Sequence, residues 1–210
     1  SYNCYHIPTN LSAFTFDEAK IEAFDWKGID LTAESMGKDQ DPKTIQFRVY
    51  ERIRDEHDLV FNDDDKGEAA DLVCIKETSP DTLKLTLVHC KGAHEGRVSK
   101  DIRNFYTLCG QAQKSVIVKH LGIPALIQNL IRREDRWREQ GKTRILKGDR
   151  KLLSTLSEKS RRSKLEFEMI LVQPGASTGA LTDDISRLLG TTELFVKKTT
   201  QGTLRVILSE

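Results

Sequence analysis

Three residues of this chain, Asp71, His89 and Lys91, are of types that can act together on a phosphate ester. A carboxylate and a second ligand can hold a divalent ion, which polarises a phosphate and lowers the pKa of bound water. A lysine beside the ion can stabilise the charge that develops on the phosphate oxygens and help to orient or deprotonate the attacking water. Glu51 precedes Asp71 by 20 residues and could supply a further carboxylate. This chemistry requires a fold that brings these side chains to one place.

A β-hairpin is the element that would bring them together. Residues 68–77 and 82–91 are apolar-rich runs joined by the turn TSPD, and this pattern predicts two antiparallel strands. In that pairing Asp71 lies level with the end of the second strand. The histidine and the lysine stand two residues apart there and share one face, whereas Cys90 points into the core. A structural ion pair between Asp71 and the lysine is the main alternative. Glu68 is either a second carboxylate or a solvated turn residue.

The remaining patterns predict an α/β fold with a mixed β-sheet flanked by helices. Apolar residues at helical spacing predict helices over 43–57, over 100–119 with Ser99 as N-cap, after Pro124, and over 182–199. Apolar runs predict strands at 58–61, 165–175 and 204–209, one or two more within 13–35, and a tight acidic turn at 62–67.

Length and composition favour one domain over residues 1–210. We expect an N-terminal strand extension (1–40), a motif-bearing core (44–120), and a basic helical stretch with closing strands (121–210). Because the chain begins with Ser1, we expect it to be a piece of a larger protein. Hydrophobic residues make up 38% and charged residues 31%, as in proteins with a packed core and a charged surface.

Neither a membrane span nor a secretory signal is apparent in the sequence, so we expect a cytoplasmic protein without a membrane partner. The four cysteines are irregularly spaced, which favours reduced thiols acting as small hydrophobes. A zinc site from Cys4, His6, Cys90 and His94 would lack the usual C-x-x-C pair.

The net charge of +1 hides an asymmetry along the chain. Residues 1–90 hold 10 basic and 19 acidic side chains, whereas residues 131–164 hold 13 basic and 5 acidic ones. Such clustering suggests a polyanion partner, with a solvated helical face as the alternative. The side chains that we expect to contact nucleic acid are Lys114, Arg132, Arg133, Arg136, Arg161, Arg162 and Lys164. Trp137, among arginines, is either a packing residue or a base-stacking platform.

The segment from residue 44 to residue 120 resembles the restriction-endonuclease-like superfamily of PD-(D/E)xK nucleases. The matching order is a helix (IQFRVYERI), a strand with the acid (GEAADLVCI), a strand ending in the lysine (LTLVHCK) and a following helix (DIRNFYTLCGQAQKSV). The resemblance implies that Asp71 is the metal-binding acid and Lys91 the catalytic lysine. It also implies that Glu51 is the helix glutamate of some members, and that Gln111 or Gln113 is the polar residue of the following helix.

His89 departs from that family, which normally carries an acid at this position. Mg²⁺ prefers oxygen ligands, so a histidine ligand favours Mn²⁺, or a site that relies on Glu51. A histidine ligand should also be lost as it protonates below about pH 6.5. The departure alternatively marks lost catalysis.

We therefore expect a metal-dependent DNA endonuclease domain that uses Mg²⁺ or Mn²⁺, with Asp71, His89 and Glu51 as ligands. DNA is the expected partner. By the resemblance, a helicase or ATPase module in the same or another chain is a further one, in a restriction or anti-phage defence protein. The alternative is a catalytically inactive module of the same fold for nucleic-acid binding or protein assembly.

Overall fold

Seven β-strands form one mixed sheet in the protein, whose computed structural model describes residues 14–210. They are β1 (Ile21–Phe24), β2 (Leu59–Asn62), β3 (Leu72–Ser79), β4 (Thr82–Cys90), β5 (Ile145–Lys147), β6 (Lys164–Ser177) and β7 (Thr203–Ser209). The order across the sheet is β1-β7-β6-β4-β3-β2-β5. Strands β2, β3 and β4 form an antiparallel meander with β5 antiparallel to β2, while β4, β6, β7 and β1 run parallel. The predicted α/β fold with a mixed sheet is confirmed.

Helices cover both faces of this sheet. They are α1 (Ile45–Ile53), α2 (Arg103–Ser115), α3 (Ile117–Leu121), α4 (Ile123–Arg138), α5 (Arg150–Lys159) and α6 (Asp183–Thr200). Helix α1 packs on one face with the loop that carries Trp26 and Met36, whereas α2, α4, α5 and α6 pack on the other face. The central strands are therefore buried on both sides, which explains their nearly continuous apolar sequences.

Helix α1 forms where the sequence predicts it. The hydroxyl of Thr44 caps the helix by accepting a hydrogen bond from the N–H of Phe47 at 3.4 Å. Apolar residues at a spacing of four then face the sheet and are fully buried: Ile45, Val49 and Ile53. This packing fixes the rotation of the helix and so decides which polar residues of α1 point toward the hairpin.

Several predicted boundaries differ from the structure. The first hairpin strand begins at Leu72 rather than at residue 68, because residues 68–71 belong to a loop. The helix predicted over 100–119 runs only from Arg103 to Ser115, and α3 follows it. Ser99 is not its N-cap; its hydroxyl instead accepts from the N–H of Asp101. Strand β5 lies within the part of residues 121–210 that was expected to be a basic helical stretch.

No helix within residues 14–210 is both long enough and apolar enough to cross a bilayer. Cys74, Cys90 and Cys109 are buried free thiols, and burial raises the pKa of each, as expected of small hydrophobic residues. Cys4 and His6, considered above as zinc ligands, lie outside the described residues.

Candidate active site

The hairpin places Asp71 where the sequence predicts it. Leu72 pairs with Val88, so Asp71 stands opposite the end of β4. The carboxylate oxygen Oδ2 of Asp71 accepts a hydrogen bond of 2.7 Å from the N–H of Cys90. Asp71 is 2% exposed. A buried carboxylate held by the backbone of the neighbouring strand has a fixed position, which a binding or catalytic group requires.

Three carboxylates meet at this point. Asp64, Glu68 and Asp71 each place one oxygen so that all three oxygens lie within 4.8 Å of one another, and we call this group the carboxylate cluster. The amide Nε2 of Gln46 donates to Oδ2 of Asp64 at 2.9 Å and lies 3.2 Å from Oδ1 of Asp71. The Oε1 atom of Gln46 accepts from the N–H of Met36 at 3.0 Å, which fixes the direction of the amide. The cluster is thus oriented from α1 and from β4.

Burial and mutual repulsion make this cluster costly to ionise. Burial raises the pKa of Asp71 well above its usual range, the N–H of Cys90 opposes this, and the negative charges of Glu68 and Asp64 add to the rise. Burial also raises the pKa of Glu68, with the charge of Asp64 contributing. A bound cation would relieve both effects, because an opposite charge favours the ionised form.

Lys91 is paired with a residue that sequence analysis missed. Its Nζ lies 2.8 Å from Oε2 of Glu34, and the same oxygen accepts from the N–H of Gly92 at 3.1 Å. Glu34 is close enough to Asp71 to raise the pKa of that carboxyl. The alternative of an Asp71–Lys91 ion pair is therefore replaced by a Glu34–Lys91 pair beside the carboxylate cluster.

His89 is separated from this arrangement. It is 2% exposed, and both of its ring nitrogens are buried without a hydrogen-bond partner in the described part of the chain. Burial, with a smaller effect of Lys114, lowers the pKa of His89 to about 4. The imidazole is therefore neutral near pH 6.5, contrary to the expectation that it titrates there. It is not among the three groups whose ligand atoms converge in the carboxylate cluster.

The other residues predicted for the site are placed as follows. Glu51 is exposed on α1, and its Oε2 lies 3.6 Å from Nη1 of Arg48. Glu51 is on a different side of the helix from buried Gln46. Gln111, on α2, has its Oε1 buried without a hydrogen-bond partner among residues 14–210. Lys114 is exposed on the same helix and acts electrostatically on Glu68 as well as on His89. The structure therefore joins Asp71 to Glu68 and Asp64 rather than to Glu51 and His89.

The predicted nucleic-acid residues divide between two places. Arg132 and Arg136 are exposed on α4, but Arg133 is buried and its Nε lies 2.6 Å from Oδ1 of buried Asp63, so it serves the fold instead of a ligand. Lys164 pairs with Thr82, at the start of β4. Thr82 is eight residues from Cys90 at the other end of this strand, a distance of about 26 Å at 3.3 Å per residue.

Arg161 and Arg162 are exposed just before Lys164. These three cations therefore lie at the end of the sheet opposite the carboxylate cluster. Trp137 is buried with the guanidinium of Arg144 at 3.9 Å from its ring centre, which supports packing over base stacking.

The donor set of the carboxylate cluster suits a hard divalent cation. Carboxylate oxygens are the ligands that Mg²⁺, Mn²⁺ and Ca²⁺ prefer. The carboxyl pKa values of Glu68 and Asp71 are raised mainly by burial, so ionising the cluster without a bound cation is costly. The signals available in the sequence were the acidic turn NDDDKG and Glu68, which lie close to Asp71 along the chain. Comparisons of the chain with family models, with curated proteins and with solved structures gave no match.

Proposed function

We propose that the chain is a metal-dependent DNA endonuclease domain with a restriction-endonuclease-like core. The observation that carries the proposal is the carboxylate cluster itself. Three carboxylates converge at the end of a hairpin, oriented by a buried amide and a backbone N–H, with Lys91 beside them. Three buried or half-buried acids at one point cost folding free energy, and a cation that serves a reaction would compensate for that cost.

The order of elements supports this choice over other metal sites. Helix α1, strand β3 preceded by Asp71, strand β4 followed by Lys91, and helix α2 succeed one another as in the resemblance drawn from the sequence. In the proposal Gln46, rather than Glu51, is the contribution of α1. Glu68 and Asp64 take the place of the acid that is missing at His89.

Each residue has a distinct part in the proposed site. Asp64, Glu68 and Asp71 would hold Mg²⁺ or Mn²⁺, which when bound supplies Lewis-acid polarisation of a phosphate and an acidified water. Gln46 and the N–H of Cys90 orient the carboxylates before any ligand arrives. Lys91 would offer its ammonium to the phosphate oxygens, and Glu34 holds that ammonium in place.

A catalytically inactive module of the same fold is the second candidate. Two observations favour it. Lys91 already has an anionic partner, and the position of the family acid holds a histidine whose ring nitrogens have no hydrogen-bond partner in the described part of the chain. Such a module would bind nucleic acid or a protein without cleaving DNA. Only the nuclease predicts metal-dependent cleavage of DNA, so a cleavage assay separates the two candidates.

Plasmid cleavage tests the proposal. Supercoiled DNA is incubated with the protein and Mg²⁺ or Mn²⁺, with EDTA as the negative control, and nicked and linear products are quantified. Asp71→Asn should abolish cleavage, whereas Glu166→Gln, which removes an exposed carboxylate near the opposite end of the sheet, should leave it unchanged. DNA binding without any metal-dependent cleavage by the parent chain would support the inactive module instead.

A further inference from the structure

A cationic pocket lies directly beside the carboxylate cluster. It has a volume of about 410 Å³, and Asp64 is part of its lining as well as of the cluster. One wall is the last part of α4 with Arg136, and the lining also includes Lys38 from the loop before α1 and Arg144 from the segment before β5. Its volume is in the range of pockets that bind small molecules or single groups of a larger ligand.

The two exposed cations of this pocket are free to bind an anion. The buried guanidiniums are neutralised, because Arg133 pairs with Asp63 at 2.6 Å and Arg144 with Asp65 at 2.9 Å. Lys38 instead donates to the neutral Oε1 of Gln140 at 2.8 Å. Within residues 14–210, Lys38 and Arg136 form no ion pair with a carboxylate.

The aromatic ring in the pocket favours phosphate over a base. Trp137 is only 8% exposed, and two cations already lie near its ring: Arg144 at 3.9 Å and Lys38 at 5.5 Å from the centroid. These contacts hold Lys38 at the pocket wall rather than leaving a free face for a nucleobase. Lys38 and Arg136 therefore supply what a phosphate group needs, two positive charges in a concave site.

We infer that this pocket binds a phosphate group of the substrate strand, next to the phosphodiester that faces the carboxylate cluster. The inference rests on the proposed function for the identity of the strand. It deepens that proposal by fixing where the strand runs: over Lys38 and Arg136, and not over the distant cations Arg161 and Arg162. A contact beside the metal site would also position the bond to be cleaved.

Binding in EDTA tests the pocket without cleavage. A fluorescein-labelled single-stranded oligonucleotide is titrated with the parent, with the Lys38→Ala/Arg136→Ala double variant, and with an Arg161→Ala/Arg162→Ala control. Each double variant removes two exposed positive charges, so the two are matched in net charge. The pocket variant should lower the affinity and flatten the salt dependence by about 0.7 log units per log unit of salt, the value for one phosphate contact on a single strand. The control should behave like the parent.

A competition experiment identifies the chemistry that is recognised. Thymidine monophosphate and inorganic phosphate should displace the labelled strand from the parent, whereas thymidine should not. If phosphate alone competes as well as the nucleotide, the pocket recognises the phosphate without its sugar and base. Equal competition by thymidine would overturn phosphate recognition, and equal effects of the two double variants would overturn the assignment to this pocket.

The outcomes for the pocket and for the nuclease are separable. A chain that binds DNA through Lys38 and Arg136 but never cleaves it retains the phosphate pocket and refutes the proposed nuclease. A chain that cleaves DNA but binds it independently of these two residues retains the nuclease and refutes the pocket.

Discussion

The thermal stability of the protein should depend on divalent ions, because burial and mutual repulsion make the carboxylate cluster costly to ionise without a bound cation. A ligand that binds only the folded state stabilises it by about 2.7 kcal/mol when its concentration is a hundred times the dissociation constant. In a chain of this size, each kcal/mol raises the melting temperature by about 2–4 °C. Saturating Mn²⁺ or Mg²⁺ should therefore raise the melting temperature of the metal-free protein by about 5–11 °C.

Glu68→Gln separates metal binding from simple burial. The pKa of Glu68 is raised by burial, so its ionisation opposes folding above the unfolded-state pKa of about 4.3. The amide removes that opposition and can still accept the hydrogen bond that Glu68 receives from the N–H of Asp65. Without metal, the variant should melt at the same temperature as the parent or higher. A tenfold loss of metal affinity would reduce the stabilisation at the same ion concentration to about 1.4 kcal/mol.

Differential scanning calorimetry on EDTA-treated protein measures the melting temperature of the parent and of Glu68→Gln, without metal and after metal is added. Glu166→Gln is the control, since it neutralises an exposed carboxylate far from the cluster. Potassium chloride at matched ionic strength removes general screening effects. A parent protein whose melting temperature does not respond to Mg²⁺, Mn²⁺ or Ca²⁺ beyond the salt control would refute the metal site, and a full ion response in Glu68→Gln would remove Glu68 from it.

The other predictions concern pH, the histidine, the lysine and the buried ion pair. Because the raised pKa values mean that protons compete with the ion, the metal-induced rise in melting temperature should become smaller as the pH falls, which a calorimetric pH series measures. Since the pKa of His89 is lowered to about 4, the parent should lose stability as pH falls from about 6.5 to 4. His89→Leu should reduce that loss in acid unfolding curves without reducing the metal-induced rise in melting temperature. A smaller rise in the variant would show that His89 is a metal ligand. Lys91→Ala should lower the cleavage rate by about 10²–10³. Lys84 lies in β4 and is also ion-paired, so Lys84→Ala should cleave like the parent in the plasmid assay. Equal rates for the two variants would exclude Lys91 from catalysis. Arg133→Met should destabilise the protein by about 3–5 kcal/mol in urea unfolding, because it leaves Asp63 buried without its partner; a loss below about 1 kcal/mol would contradict that role.

The position of Asp71 on the hairpin could be predicted from the sequence. Alternating apolar residues and a four-residue connection predict the hairpin and its register, and a shift of one residue would have turned every side chain to the wrong face. Asp71 therefore lies opposite the end of β4 as predicted. The amphipathic pattern of α1 and the mixed α/β sheet were likewise predictable, because burying apolar residues at fixed periods leaves few arrangements.

The partners of Asp71 were decided by the tertiary structure. Helical periodicity shows that α1 has a buried face, but the packing against the sheet decides that Gln46, and not Glu51, points toward the hairpin. The pairing of Lys91 with Glu34 joins residues 57 positions apart, and no local pattern encodes such a contact. Strand alternation was also insufficient for His89, because helices cover both faces of β4 and leave no exposed side.

For the basic stretch too, the sequence did not predict where the side chains lie in the fold. Its composition predicts positive charge, but charge counted along the chain contains no distances. The fold buries Arg133 in an ion pair, carries Arg161 and Arg162 to the far end of the sheet, and brings Lys38, from an acidic part of the sequence, beside Arg136. Residue types thus set which chemistry is available to this protein. The packing of helices and loops on the sheet sets which groups meet, because those contacts depend on the relative placement of segments far apart in sequence.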